Sequence, residues 1–292
     1  MFDTRLKTLI TLLEEKNYTS TAKKLYITQP AVTHHIKSLE KDANIVLFSD
    51  PKSFELTKAG EVMVKYAKNA LEQYSLLENN LKKTFKESVS TVAFTPFIKD
   101  ILDNFGITTF FKRQDAKLNV MIESYDDIIN GLVDGSIDFA IIDNNFDSSI
   151  FESYSLFSSK LKLVCKAYGT YGTKDRITRE QLKNAPLVLA EKSSGLYRST
   201  INSLHSKNIN IKDNDILYTN SNDWLVNLVI INDAISVMYE ESMNNYIDKG
   251  LIKPIELLNF NFFQNVYLIY SRNAYLSDNV KQLIENLRKY ME

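Results

Sequence analysis

The 292-residue chain has little of several residue types on which protein chemistry depends. Cys165 is its only cysteine, so an intramolecular disulfide cannot form. In the apolar run Leu163-Val-Cys it reads as an inert strand residue. There are three histidines, and the adjacent pair His34 and His35 would point in different directions on a helix. No metal site is expected. With only eight glycines, the chain has no Walker or dinucleotide loop, no Gly-x-Ser-x-Gly elbow and no HExxH motif. No cofactor and no catalytic residue are expected, and the chain does not read as an enzyme. No apolar run approaches the ~20 residues that span a bilayer. Asp3, Arg5 and Lys7 break up the N-terminus, so neither a signal-like leader nor a membrane partner is expected, and the chain reads as cytoplasmic. Charge of neither sign dominates, the formal net being −1. Residues 1–60 hold nine Lys/Arg against seven Asp/Glu, a weak basic footprint.

What is present is concentrated in residues 19–41. They read as two short helices joined by a tight turn, a helix-turn-helix whose second helix fits the major groove of DNA. Thr19 is expected to cap the first helix, with Ala22 and Leu25 facing inward and Ile27 packed in the turn. Thr28 is expected to cap the second, and Pro30 falls in its first turn, where no intrahelical N–H is needed. Val32, Ile36 and Leu39 recur at helical spacing as a buried stripe. The opposite face offers Thr28, Gln29, Pro30, Ala31, Thr33, His34 and Lys37 to double-stranded DNA. Gln29 can pair with adenine, Pro30 and Ala31 can touch thymine methyls, and His34 can meet a base or phosphate.

The flanks extend the motif. Residues 4–16 read as a preceding helix, with Leu6, Leu9, Ile10 and Leu13 on one side. Asn44-Ile-Val-Leu-Phe and Phe54-Glu-Leu-Thr, separated by a Pro/Ser turn, read as a β-hairpin wing. From Thr57 to about Phe85 a long helix follows, with apolar positions including Val62, Tyr66, Ala70, Leu77 and Leu81. So long a helix needs a partner, and Tyr66, Ala70, Leu77 and Leu81 are the expected contacts with a second copy.

Residues Thr19, Ala22, Leu25, Gln29-Pro-Ala, Ile36, Leu39-Glu40, Leu47-Phe48, Leu56-Thr57 and Ala59-Gly60 resemble the LysR-type transcriptional regulators. The resemblance implies a winged helix-turn-helix at 1–58, a dimerising linker helix at 59–88, and an α/β effector-binding domain at 89–292. That domain would consist of two Rossmann-like lobes resembling a type 2 periplasmic binding protein, lobe I at 89–165 and 266–292 and lobe II at 166–265. The chain would cross between them near Lys166 and Asn265. The family implies a homodimer or homotetramer that contacts RNA polymerase and senses a small-molecule effector of unknown identity. Several residues depart from its pattern. Asn44 stands where Gly is usual, and Asn tolerates positive φ. Asp50 stands where a phosphate-contacting Arg is common, with Lys52 partly replacing the charge. Asn232-Asp-Ala replaces a Gly-x-Gly pattern, and Tyr239 replaces a Pro. The lone Cys165 is unlike the paired cysteines of peroxide-sensing members.

Residues 89–292 alternate strands and helices, which by itself implies parallel sheets flanked by helices. Expected strands include 89–94, 118–123, 139–142, 161–165, 187–190, 216–218, 235–238 and 265–270. Expected helices include 97–111, 126–135, 197–207, 224–232 and 278–291. Ligands of such sheets bind beyond the carboxyl ends of strands. That geometry points to Tyr125, Asp143, Gly195 and Thr219 to Asn222 among the strand-end residues, and nominates Thr95, Pro96, Phe97, Ser124, Asp126, Asn144, Ser193, Ser194 and Asn222 as effector contacts. Asp126 and Asp127 in one helix's first turn would disfavour a plain anion. A small-molecule sensor whose helix-turn-helix contacts protein, and a regulator that needs no ligand, are the alternatives.

Overall fold

The computed structural model describes residues 3–50, 53–85, 89–114, 117–211, 216–258 and 260–291. Lys52, nominated above as a DNA contact, lies outside the described residues. The chain divides into two compact units, Met1–Leu81 and Lys82–Glu292.

The first unit contains helices α1 (Thr4–Glu15), α2 (Tyr18–Lys24) and α3 (Gln29–Ala43), strands β1 (Phe48–Asp50) and β2 (Glu55–Leu56), and most of helix α4 (Lys58–Phe85). Leu6, Leu9 and Leu12 pack with Ile36, Leu39, Leu47, Phe48 and Ala67 into one core, and Val32 is also fully buried. Two local expectations change. The cap of α2 is Asn17, whose side chain accepts from Thr19 N at 2.8 Å and Ser20 N at 3.0 Å, so Thr19 lies inside the helix. An extended Asn immediately before the helix satisfies two orphan donors at once. The wing is also shorter than the apolar pattern suggests, because residues 44–47 do not join the hairpin. Asn44 ends α3 in the left-handed region at φ 52°, and Glu40 Oε1 accepts from Leu47 N at 2.9 Å.

The second unit runs β3 (Ser90–Phe94), α5 (Ile98–Asn104), α6 (Ile107–Lys112), β4 (Leu118–Ile122), α7 (Tyr125–Asp134), β5 (Phe139–Ile142) and β6 (Phe151–Lys166). It continues through β7 (Arg176–Ile177), α8 (Arg179–Lys183), β8 (Leu187–Ala190), α9 (Gly195–His205), β9 (Ile216–Thr219), α10 (Asn222–Asn232) and β10 (Ile235–Tyr239). It closes with α11 (Asn244–Asp248), β11 (Ile252–Leu257), β12 (Phe262–Ser271) and α12 (Asp278–Met291). Among the described residues ten strands form one connected sheet, whose main path is β4-β3-β5-β12-β6-β10-β8-β9.

Strands β3, β4 and β5 are mutually parallel, as are β8, β9 and β10 where they pair. They form the two lobes. Between them run β6 and β12, antiparallel to each other and to their neighbours, so the sheet is mixed where parallel pairing was expected. Residues 151–161 of β6 pair with β12, and Leu161–Cys165 pair with β10 of the second lobe. Leu161–Cys165 therefore belong to lobe II's part of the sheet, and the chain crosses within β6, before Lys166. The helix expected over 97–111 is broken into α5 and α6 by Gly106, which takes φ 71°. Cys165 is buried, and burial pushes its thiol up to about 11, consistent with an inert strand residue.

Ile36 joins α3 to the core of the first unit. Ile36→Ala is expected to destabilise that unit by about 2–4 kcal/mol, read as an earlier urea transition by circular dichroism.

Candidate DNA interface and interlobe cleft

The α3 face is built by its start. Thr28 is extended, and its hydroxyl accepts from Ala31 N at 3.3 Å, with Pro30 in the first turn. With Val32, Ile36 and Leu39 buried, the helix turns Gln29, Pro30, His34 and Lys37 to solvent, with Ala31 and Thr33 partly covered. The hydroxyl of Thr33 donates back to Gln29 O at 3.3 Å. The two histidines separate in role: His34 is exposed, whereas His35 Nδ1 lies 2.8 Å from Thr8 Oγ1 of α1. Arg5 fixes the far end of α3 by bonding Ser38 Oγ at 2.6 Å and the Asp42 carboxylate.

Tyr26 was missed by sequence reasoning. It lies in the turn before α3 at φ 55° and is 96% exposed. An aromatic residue in the left-handed region is uncommon, and periodicity gives no signal for a turn residue.

Helix α4 carries two apolar faces. Met63, Val64, Ala67 and Ala70 pack against the core of the first unit. Val62, Tyr66, Leu77 and Leu81 are exposed. Ala70, nominated for the dimer contact, thus faces the unit's own core, while Tyr66, Leu77 and Leu81 are exposed.

In the second unit, the ends of β5 and β8 meet the start of α9. Asp143 and Asn144 follow β5 in lobe I, and both are about 1% exposed. Asp143 Oδ2 accepts from Leu196 N of α9 at 3.0 Å and from the hydroxyl of Tyr239, the last residue of β10, at 2.7 Å. Its Oδ1 accepts from Thr95 Oγ1 at 2.9 Å. Asn144 Oδ1 accepts from Gly195 N at 3.1 Å, while its Nδ2 donates to Ser193 O at 2.8 Å. The backbone carbonyl of Asp143 accepts from Gln264 Nε2 at 2.6 Å, and Gln264 in turn accepts from Ser199 of α9. Lobe I therefore satisfies first-turn N–H groups of a lobe II helix. Burial pushes the Asp143 carboxyl upward, opposed by its hydroxyl and N–H donors. Burial, and then the nearby Asp143, push the Tyr239 phenol well above its ordinary value, so it stays a donor.

The structure thus brings Thr95, Asn144, Ser193 and Ser194 together. Ser194 caps α9, accepting from Tyr197 N at 3.1 Å and donating to Glu191 O at 2.8 Å. Pro96 is half-buried, and Phe97 is fully buried in the apolar core, so packing accounts for Phe97. Ser124 caps α7, accepting from Asp127 N at 3.3 Å, and Asp126 in the first turn is exposed. The Arg198 guanidinium of α9 lies 5.7 Å over the Tyr125 ring of α7. Away from that cluster, Asn222 opens α10 and makes another lobe-to-lobe bond, its Nδ2 donating to Asp100 Oδ2 of α5 at 2.6 Å. Its buried Oδ1 has no partner among the described residues. Asn104 of α5 donates to Glu241 O, a further such bond. Asp143, Tyr239 and Gln264 complete the junction. Only the departure at Tyr239 and the strand-end position of Asp143 hinted at them.

Residues 4–61 match the family model described as bacterial regulatory helix-turn-helix protein, lysR family. Residues 110–292 match the LysR substrate binding domain. Among curated proteins the chain is similar to the HTH-type transcriptional regulator CysL of Bacillus subtilis, 23% identical over 278 residues, covering 91% of this chain and 90% of that protein. Among solved structures it resembles full-length OxyR from Pseudomonas aeruginosa, with 17% identity, all of both chains covered and a TM-score of 0.58. It also resembles the regulatory domain of Synechocystis CcmR, solved in complex with 2-PG, with 14% identity and a TM-score of 0.60. That match covers 70% of this chain and 97% of the other.

A methyl group at position 195 would meet the Asp143 carbonyl oxygen at 2.2 Å. Gly195→Ala is therefore expected to force the lobes apart and destabilise the protein by about 1–3 kcal/mol, measured as a lower melting temperature.

Proposed function

Because the chain belongs to the LysR family of DNA-binding transcriptional regulators with an effector-binding domain, we propose that it reads a dyad of A·T-rich half-sites through α3. Thr28, Gln29, Pro30, Ala31, Thr33, His34 and Lys37 form the reading face, and Tyr26 lies beside it. The observation that carries this reading is the exposure of Gln29, Pro30, His34 and Lys37 on a helix whose opposite stripe is buried. A Gln side chain can bond adenine bidentately, and Pro and Ala offer apolar contact to thymine methyls. The weak charge surplus of residues 1–60 means that phosphate contacts must be summed over more than one copy. The exposed stripe of Tyr66, Leu77 and Leu81 on α4 supplies the homodimer contact, and dimers can pair further into tetramers.

The two-lobed domain takes a small effector, and its occupancy is coupled reciprocally to operator affinity. Asp126 and Asp127 in the first turn of α7 oppose a plain carboxylate, which favours a zwitterion such as an amino acid. The chain acts by regulation, with contact to RNA polymerase, and carries no catalytic role. Its place is the cytoplasm, with the chromosome. Among the described residues no helix is long and apolar enough to cross a membrane.

Genome-wide mapping of bound sites yields the operator. On that operator Gln29→Ala should cost about 1–3 kcal/mol and little on random DNA. Equal losses on both, in a salt-controlled shift assay, would show that Gln29 reads no base. For assembly, Leu77→Asp combined with Leu81→Asp should halve the sedimenting mass, whereas an unchanged oligomer would remove α4 as the dimer contact.

A further inference from the structure

The interlobe junction holds a carboxylate already. The α9 N-terminus offers Gly195 N and Leu196 N, and the neighbouring wall offers the Tyr239 and Thr95 hydroxyls. Four donors converging between two lobes are the chemistry of a carboxylate-binding seat. Asp143 fills three of them and Asn144 the fourth. The three groups on the Asp143 side chain all donate, which suits an ionised carboxylate, an acceptor through both oxygens. The close packing of Gly195 on the Asp143 backbone leaves no room for another group there. Arg198 over Tyr125 and Asn222 on Asp100 join the lobes at two further points.

We propose that Asp143 is a tethered ligand: lobe I carries its own carboxylate into lobe II, and the lobes are latched closed with no small molecule bound. This rests on the reading of the two-lobed domain as the regulatory half of the chain, and it specifies the regulation. A free carboxylate cannot enter the α9 seat while Asp143 occupies it. An effector therefore acts by releasing the latch, and an empty domain corresponds to the closed state.

The test uses the full chain, dialysed free of organic anions, and needs no operator, so failure of the DNA reading leaves it intact. Asp143→Ala vacates the seat, and formate is the probe because it replaces the missing carboxylate without added bulk. The variant should melt several degrees below the wild type. Formate should restore much of that loss saturably in the millimolar range, with chloride at matched ionic strength doing nothing. The wild type should show no formate-specific shift. A variant indifferent to formate, or a wild type that responds equally, would overturn the proposal.

Hydrogen exchange provides a second readout should Asp143→Ala fail to fold. First-turn helix amides without a partner exchange quickly, so the Gly195 and Leu196 amides of the ligand-free wild type should be protected. Tyr239→Phe, which keeps the ring and removes one donor, should raise their exchange several-fold. Fast exchange in the wild type would show the lobes open and the latch absent.

Discussion

The first backbone N–H groups of a helix have no partner within it, and the DNA-reading helix and the interlobe junction of this chain both depend on how those groups are satisfied. In the first unit local side chains do it. Asn17 starts α2, Thr28 starts α3, and the hydroxyl of Thr57 accepts from Gly60 N at 2.9 Å at the start of α4. Those caps set where each helix begins, and so which face of α3 is buried and which is offered outward. In the second unit Ser124, Thr178 and Ser221 cap α7, α8 and α10 in the same way. Helix α9 has Ser194 for one donor, but Gly195 and Leu196 point theirs at the other lobe.

That exception ties the lobes together more tightly than the strands between them require. Strands β6 and β12 form a continuous antiparallel ribbon, with its irregularity between Val266 and Tyr267. A two-stranded ribbon can twist, so the lobe arrangement depends on what crosses the cleft. Here polar side chains cross it, and most are fully engaged. The unpartnered Oδ1 of Asn222 is an exception, held beside the Asp100 pair. It marks the less well satisfied side of the junction.

Much of the fold was legible because short-range patterns carry it. Phe139–Ile142 and Leu187–Ala190 are continuous apolar runs that form the strands read from them, and Asp278–Met291 is an uninterrupted amphipathic helix. The buried stripe Val32, Ile36 and Leu39 follows helical spacing and is observed as such. The early part of β6 was illegible because Glu152, Ser153, Ser155, Ser158, Ser159 and Lys160 give it no apolar run or clean alternation; ribbon pairing makes it a strand. Gly106 broke an otherwise helical pattern, since a single glycine in a periodic stretch is ambiguous until its φ is known. At the junction, strand-end reasoning nominated Thr95, Asn144 and Ser194, and the structure brings these three to the start of α9. The role of Asp143 lay beyond reach, because its partners Leu196 and Tyr239 are remote in sequence and no local rule pairs them.

The contact between position 195 and the Asp143 backbone also bears on inheritance. A side chain at 195 is admissible only in a descendant whose loop after β5 has first withdrawn. A descendant that replaces the Asp143 carboxylate leaves Leu196 N and Tyr239 seeking a new acceptor. Neither position can drift alone without damage to the fold. The two ends of this junction, far apart in the gene, are therefore held to one another twice, by backbone packing at 195 and by the acceptor at 143.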